Sequence, residues 1–312
     1  MSIYEHATHF ANKPVADWEP DQGIEDPTGT IYRISLSYEE GEEGKLWTDK
    51  LSAFLDDPAS SQVPGIVVGV WGELAPLADS GPVVEALVAA HQRLPNLKAI
   101  FLGDIISEEH EISWIQQTDI SPLLAAYPQL EHLCVRGTQG LSLGSLRLPR
   151  LKELIIQSGG LPSDIVRQIT AAHLPELEHL ELWLGIDNYG GDTTLDDLMP
   201  ILSGKLFPKL TYLGLRDSEM ADEIAQAVAR APIIERLRVL DLSMGTLGDE
   251  GAAALLESPS VAKLEMLDLH HHFCSEKTIK RLEGLGIKVD ASEPQTPDSY
   301  DGESYRYVAV SE

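Results

Sequence analysis

The sequence has 312 residues, 43% hydrophobic but only 6% aromatic, so it can bury a large core of aliphatic layers and is not disordered throughout. Its 50 acidic residues outnumber 23 basic ones, and the net charge of −27 argues against nucleic acid and anionic membrane as partners. Two cysteines far apart, Cys134 and Cys274, make neither a disulfide framework nor a zinc signature.

Residues 1–29 are acidic and contain prolines, which suits an N-terminal cap or arm. No cationic segment leads into an apolar run there, and no apolar stretch reaches the roughly 18–20 residues that span a bilayer, so the expected location is the cytoplasm. Residues 30–36 and 65–70 read as strands of two degenerate repeats over 30–93, with helical patches at 47–55 and 83–92 between strands. The acidic run at 39–43 reads as a solvated loop.

From residue 94 a phrase recurs: an apolar residue, often Pro, then Leu-x-x-Leu-x-Leu. Its first framework leucines are Leu97, Leu130, Leu151, Leu177, Leu210, Leu237 and Leu264, spaced 33, 21, 26, 33, 27 and 27 residues apart. The Leu-x-Leu portion has period 2 and predicts a strand; the portion after it usually changes to helical spacing. Ile224, Val228 and Ala231 share one helical face with Met220, and Leu161, Ile165 and Ile169 share another. Leu195, Leu198, Met199 and Leu202 form a third such face, and Leu247, Gly251, Ala254 and Leu255 a fourth. Ser163 and Gly248-Asp249-Glu250 suit helix starts, and Pro175, Pro208 and Pro232 fall where a helix must end before the next strand. One strand–loop–helix unit cannot bury its own apolar face, but stacked units can, with parallel strands on one side and helices on the other.

Helix 277–282 and strand 287–289 are predicted to close the solenoid of 30–290, whose clear repeats span 94–290. Residues 291–304 read as a linker and 305–312 as a strand-like tail. The tail is expected to cap the solenoid by pairing with its last edge strand, or else to dock on a partner by strand addition.

Leu237-Arg238-Val239-Leu240-Asp241-Leu242-Ser243, followed by the helix-entering turn Leu247-Gly248-Asp249-Glu250-Gly251-Ala252, resembles the leucine-rich-repeat family and its ribonuclease-inhibitor-like branch. The whole chain also resembles a group of uncharacterised bacterial leucine-rich-repeat proteins. The resemblance implies an α/β curved solenoid with strands on a concave face, helices on a convex one, and function by protein binding. One departure stands out. The third position after the last strand leucine, often Asn in the family, holds Ile105, Thr138, Gly159, Gly185, Ser218, Gly245 and His272, so there is no asparagine ladder.

Alternation sends the residues between framework leucines to the strand face. The first column there is Ala99, His132, Glu153, His179, Tyr212, Val239 and Met266; the middle one is Phe101, Cys134, Ile155, Glu181, Gly214, Asp241 and Asp268; the last includes Arg136, Gln157, Trp183, Arg216, Ser243 and His270. The candidate partner-binding residues are Arg136, His179, Glu181, Trp183, Tyr212, Arg216, Asp241, Asp268 and His270. They join a carboxylate stripe to Trp, Tyr and Arg, the residue types enriched at binding hot spots, and suit a basic protein or peptide. An exposed Trp on a strand is otherwise disfavoured.

Phosphate loops, nucleophile elbows, His-Glu-x-x-His and Cys-x-x-Cys are all lacking, so neither catalysis nor a cofactor is expected. Asp268, His270, His272 and Cys274 carry metal-ligand chemistry, but alternation separates His270 from His271, and His272 and Cys274 fall in the turn beyond. A polar strand end is the simpler reading. The leading expectation is a non-catalytic scaffold. The alternatives are an accessory subunit that modulates an enzyme and, ranked last, an enzyme with its site on the strand face.

Overall fold

The computed structural model describes residues 3–72 and 78–311. They form two compact units: the described residues up to Ile156 with Ala171–Leu174, and Gln157–Thr170 with Pro175–Ser311.

In the first unit, β1 (His9–Phe10) and β2 (Lys13–Asp17) form an antiparallel hairpin. Its two turn residues, Ala11 and Asn12, both have positive φ, the geometry that matches the twist of paired strands. Strand β2 then pairs in parallel with β3 (Ile31–Ile34). The series continues through helices α1 (Tyr38–Glu42) and α2 (Trp47–Asp56), strand β4 (Gly65–Val68), helix α3 (Gly81–Ala89), strand β5 (Ala99–Leu102), helix α4 (Ser121–Ala126) and strands β6 (His132–Arg136) and β7 (Glu153–Gln157). Strands β3 to β6 pair in parallel, each with the next in sequence. Among the described residues no helix lies between β6 and β7, because the 21-residue spacing leaves only a connection that bridges Gln116 to Gln139 and Asp119 to Ser142.

The second unit repeats the pattern more regularly: α5 (Ser163–Thr170), β8 (His179–Gly185), α6 (Leu195–Leu202), β9 (Tyr212–Ser218), α7 (Ala221–Val228), β10 (Val239–Asp241), α8 (Asp249–Glu257), β11 (Met266–Asp268), α9 (Glu276–Glu283) and β12 (Lys288–Asp290). Register is that of the repeat: His179, Tyr212, Val239, Met266 and Lys288 sit side by side on successive parallel strands. The fold is an α/β leucine-rich-repeat solenoid. All seven framework leucines are buried, five of them completely. Each such side chain contributes roughly 1.5–3 kcal/mol by leaving water.

Without an asparagine ladder, other side chains satisfy the turns. Ser158 Oγ accepts from the Gly160 amide, Ser218 Oγ from Met220, and His272 Nδ1 from Cys274. Thr246 Oγ1 donates to the carbonyls of Ser218 and Glu219.

The structure departs from expectation in several places. The acidic run at 39–43 is not a loop but falls in helix α1 and its C-cap. Met199 is exposed and Ile201 takes its place on the inner face of α6, beside Leu198 and Leu202. Residues 3–17, part of the segment expected to be a cap or arm, pack as an ordered part of the first unit through Ile3, Phe10 and β2, which is no departure. The predicted linker contains a hairpin of β13 (Asp298–Tyr300) and β14 (Glu303–Tyr305), closed by Asp301-Gly302, both at positive φ. This Asp-Gly turn pairs β14 with β13, so the tail does not pair with the last edge strand, β12.

Candidate functional site

The strand faces of the two units differ because their middle columns differ. In the first unit Val67, Phe101, Cys134 and Ile155 form an apolar row with Ile31 packed against it, and such a row must be covered. The N-terminal segment covers it. Phe10 lies 5.8 Å from the Phe101 ring, and Ala7, Ala11 and Val15 pack beside it. Polar contacts fix the segment at one edge: the Ala7 amide donates to Asp104 and the Ser107 amide to the Ile3 carbonyl. Arg136 lies in this unit, fully buried, with Nη1 donating to the Ile105 carbonyl at 2.8 Å. It is therefore not gathered with the other predicted site residues.

The remaining eight lie on β8 to β11 and just beyond, in the second unit, and six of them form one network. Arg216 is its hub. Its Nη1 donates to Glu181 Oε1 at 3.0 Å, and its Nε lies 3.2 Å from Asp241 Oδ2 and donates to Ser243 Oγ. Trp183 Nε1 donates to Glu181 Oε1 at 2.7 Å, and the Arg216 guanidinium lies 5.2 Å from the Trp183 ring centre. The Tyr212 hydroxyl donates to Asp241 Oδ2 at 2.6 Å, and the His179 ring stacks flat on the Tyr212 ring at 3.7 Å. Gly214 makes room here, since a β-carbon at that position would press on Glu181, Tyr212 and Arg216.

Burial decides what this network can do. Glu181, Trp183, Arg216 and Asp241 are buried, Trp183 completely, which corrects the expectation of an exposed aromatic anchor. Its indole N–H and ring face are taken up by Glu181 and Arg216. What reaches solvent is the half-buried first column, His179, Tyr212, Val239 and Met266, together with Asp268 and His270. His270 Nδ1 lies 2.8 Å from Asp268 Oδ1, and that hydrogen bond raises the imidazole pKa against the opposing effect of burial.

The carboxylates are pushed in opposite directions. Burial alone would raise Glu181, but Arg216, His179 and Trp183 outweigh it and hold the carboxyl well below its usual range. Asp241 moves up: burial dominates, and the Asp268 and Glu181 charges oppose Arg216. Tyr212 is held protonated by burial and by the Glu181 and Asp241 carboxylates.

The other reactive side chains serve the fold. Cys134 packs in the apolar row beneath Phe10. Burial pushes the Cys274 thiol up to about 12. His272 Nε2 donates to the Ala291 carbonyl and burial lowers its pKa. Among the described residues no three His, Cys, Asp or Glu side chains converge as a metal site would need. No helix among them is long and apolar enough to cross a membrane.

No protein-family model matches the chain, and no curated protein matches it either. Solved structures do. A crystal structure of a Bacteroides fragilis protein is 35% identical, covers 85% of this chain and 74% of that one, and superposes with a TM-score of 0.80. The chain belongs to the same family as that Bacteroides protein. Two further structures resemble this family member at lower scores. They are an internalin from Listeria monocytogenes (16% identity, 79% of this chain and 57% of that one, TM-score 0.41) and a leucine-rich-repeat protein from Leptospira interrogans (13%, 86% and 66%, TM-score 0.36).

Sequence reasoning missed the residues that hold the chain ends: Phe10, His6 and Asp104 in the first unit, Asp217, Asp222 and Arg306 in the second. A signal was present. Asp104 and Asp217 both stand seven residues after a framework leucine, and both are completely buried. A buried carboxylate needs donors from outside its own turn.

Proposed function

We propose that this protein is a non-catalytic, cytoplasmic scaffold that binds a basic protein or peptide on the strand face of its second unit. The observation that carries the reading is the Glu181–Arg216–Asp241 network beneath the half-buried His179, Tyr212, Asp268 and His270. A buried ion network is weak support for stability, and its best-attested use is to fix geometry. Here it locks the rotamers of the residues above it, and such preorganisation lowers the entropic cost of binding. The partner's charge follows from the surface. The network's one cation is buried, Asp268 and Asp290 continue the carboxylate row on β11 and β12, and the net charge is −27. Such a field speeds encounter with a basic ligand and repels phosphate.

The test is site-specific photo-cross-linking in extracts of the native cytoplasm, with the cross-linker at Met266 on the strand face or at Glu223 on helix α7. A basic partner captured from Met266 only, and progressively lost as salt is raised, is the expected result. Capture from Glu223 alone would move the binding surface to the helices and end this reading.

A further inference from the structure

Seven residues after Leu210, Leu237 and Leu264 stand Asp217, Met244 and His271. All three have left-handed backbone, with φ of 53°, 68° and 57°. Residues other than glycine keep that conformation where their surroundings hold it. Each of the three meets the C-terminal segment. His271 Nε2 donates to the Tyr307 carbonyl at 3.2 Å, the Met244 carbonyl accepts from the Ala309 amide at 2.8 Å, and Asp217 Oδ1 accepts from the Val310 amide at 2.9 Å. The segment thus crosses three successive repeats at one turn position, held by its main chain.

Side chains are read as well. Arg306 Nη1 donates to Asp222 Oδ2 at 3.0 Å and to the Thr246 carbonyl at 3.1 Å. The other Asp222 oxygen accepts from the Gly248 and Gly251 amides, so the carboxylate is fixed independently of the arginine. Gly248 leaves space for the guanidinium, which a β-carbon there would strike. Val308 and Val310 are buried, while Tyr307 before them is exposed and Ala309 between them is only partly buried, the alternation of an extended peptide seated in a groove. Asp217 is completely buried, and its Oδ2 has no hydrogen-bond partner among the described residues. Apart from Glu303–Tyr305 in its hairpin, the segment belongs to no repeat and to no sheet.

We infer that this row of turns is a peptide-binding site separate from the strand face, and that residues 306–310 are its tethered occupant. Its external ligand is an extended peptide bearing an arginine, with valine or a similar β-branched residue two and four positions later. The two contacts of the main chain with Met244 and Asp217 supply the register, the Asp222 pocket selects the arginine, and the tail competes at the high effective concentration of a tethered ligand. The inference does not depend on the strand-face proposal.

The test uses the full chain carrying Arg306→Ala and Val310→Asp, which empties the groove, and a fluorescent peptide with the sequence of residues 303–312. Anisotropy is expected to report saturable binding to this variant and at least about tenfold weaker binding to the wild type, whose own tail competes. Adding Asp222→Ala or Gly248→Val to the variant abolishes binding. Equal binding to variant and wild type, or binding that survives both added substitutions, overturns the inference. Circular dichroism verifies the variant's fold. Should it fail to fold, amide exchange of the wild type decides. Ala309 and Val310 exchanging well before the β9 and β10 amides support a displaceable tail, whereas exchange only together with those strands refutes it.

Discussion

Arg216 shows how one residue can be both a liability and an organiser. It sits between Glu181 and Asp241, all three nearly closed to water, and a buried triad of this kind gains little over apolar residues of the same volume. Removing one member is another matter, because the other charges stay behind. Arg216→Met is expected to lower unfolding free energy by about 3–5 kcal/mol, since Glu181 and Asp241 would lie buried without their cation. Replacing Glu181, Arg216 and Asp241 together with Leu, Met and Leu should return most of that loss. Urea denaturation of the single and triple variants measures both, and a single-variant loss under about 1 kcal/mol would mean that water reaches the network. The positions of these residues were legible in the sequence, because framework leucines fix the columns and the columns fix who is adjacent. Their burial was not legible. Trp183 is covered where Arg216 folds over it, and which of two neighbouring strand-face side chains lies on top is a matter of rotamer, not of period.

At the scale of elements, a local period predicted nearly everything that has one. Helices at 47–55 and 277–282 and strands at 30–36 and 65–70 fall within a few residues of α2, α9, β3 and β4. The failures are contacts with no period. The Asp301-Gly302 hairpin carries a turn signal in its Asp-Gly pair, but the composition of 291–304 is that of a linker and hides it. The N-terminal segment depends on Ala7 meeting Asp104, 97 positions away, although the apolar middle column of Phe101, Cys134 and Ile155 already implied a cover. That segment carries a pH dependence. Hydrogen bonds to Asp104 and then Glu109 raise the His6 pKa from 6.5 to about 9, against burial and the nearby Arg33. A cationic group with a raised folded pKa stabilises fully below its unfolded pKa, and that stabilisation is lost as pH rises through the folded value. His6→Ala should therefore cost roughly 1–2 kcal/mol at pH 6, an amount reduced for the solvent that reaches the ring, and close to nothing at pH 10. The difference in urea midpoints between wild type and variant at the two pH values checks this. A penalty that does not change with pH would assign the loss to packing of the imidazole rather than to its charge.

For the whole molecule the governing quantity is charge imbalance. Surface pairs exist, such as Lys152 and Lys98 on Glu131 and Arg238 on Glu265. Glu131 is held down at about 2 by its two lysines, Lys152 first. Exposed pairs are worth about 0–1 kcal/mol each, and salt weakens them. Against 50 acidic residues stand only 23 basic ones, so even complete pairing leaves 27 negative charges without a cation. Their mutual repulsion opposes the compact state, and it too is screened once the Debye length falls from about 30 Å at 0.01 M salt to about 8 Å at physiological strength. The two effects have opposite signs. Repulsion among many uncompensated charges accumulates over the surface, whereas each pair is local and partly maintained by direct hydrogen bonds. The repulsion should therefore dominate, and the melting temperature should rise by a few degrees between 0.01 and 0.5 M sodium chloride. Calorimetry at neutral pH measures it. A fall with added salt would mean that the ion pairs, and not the excess of acid, set the electrostatic stability of this solenoid.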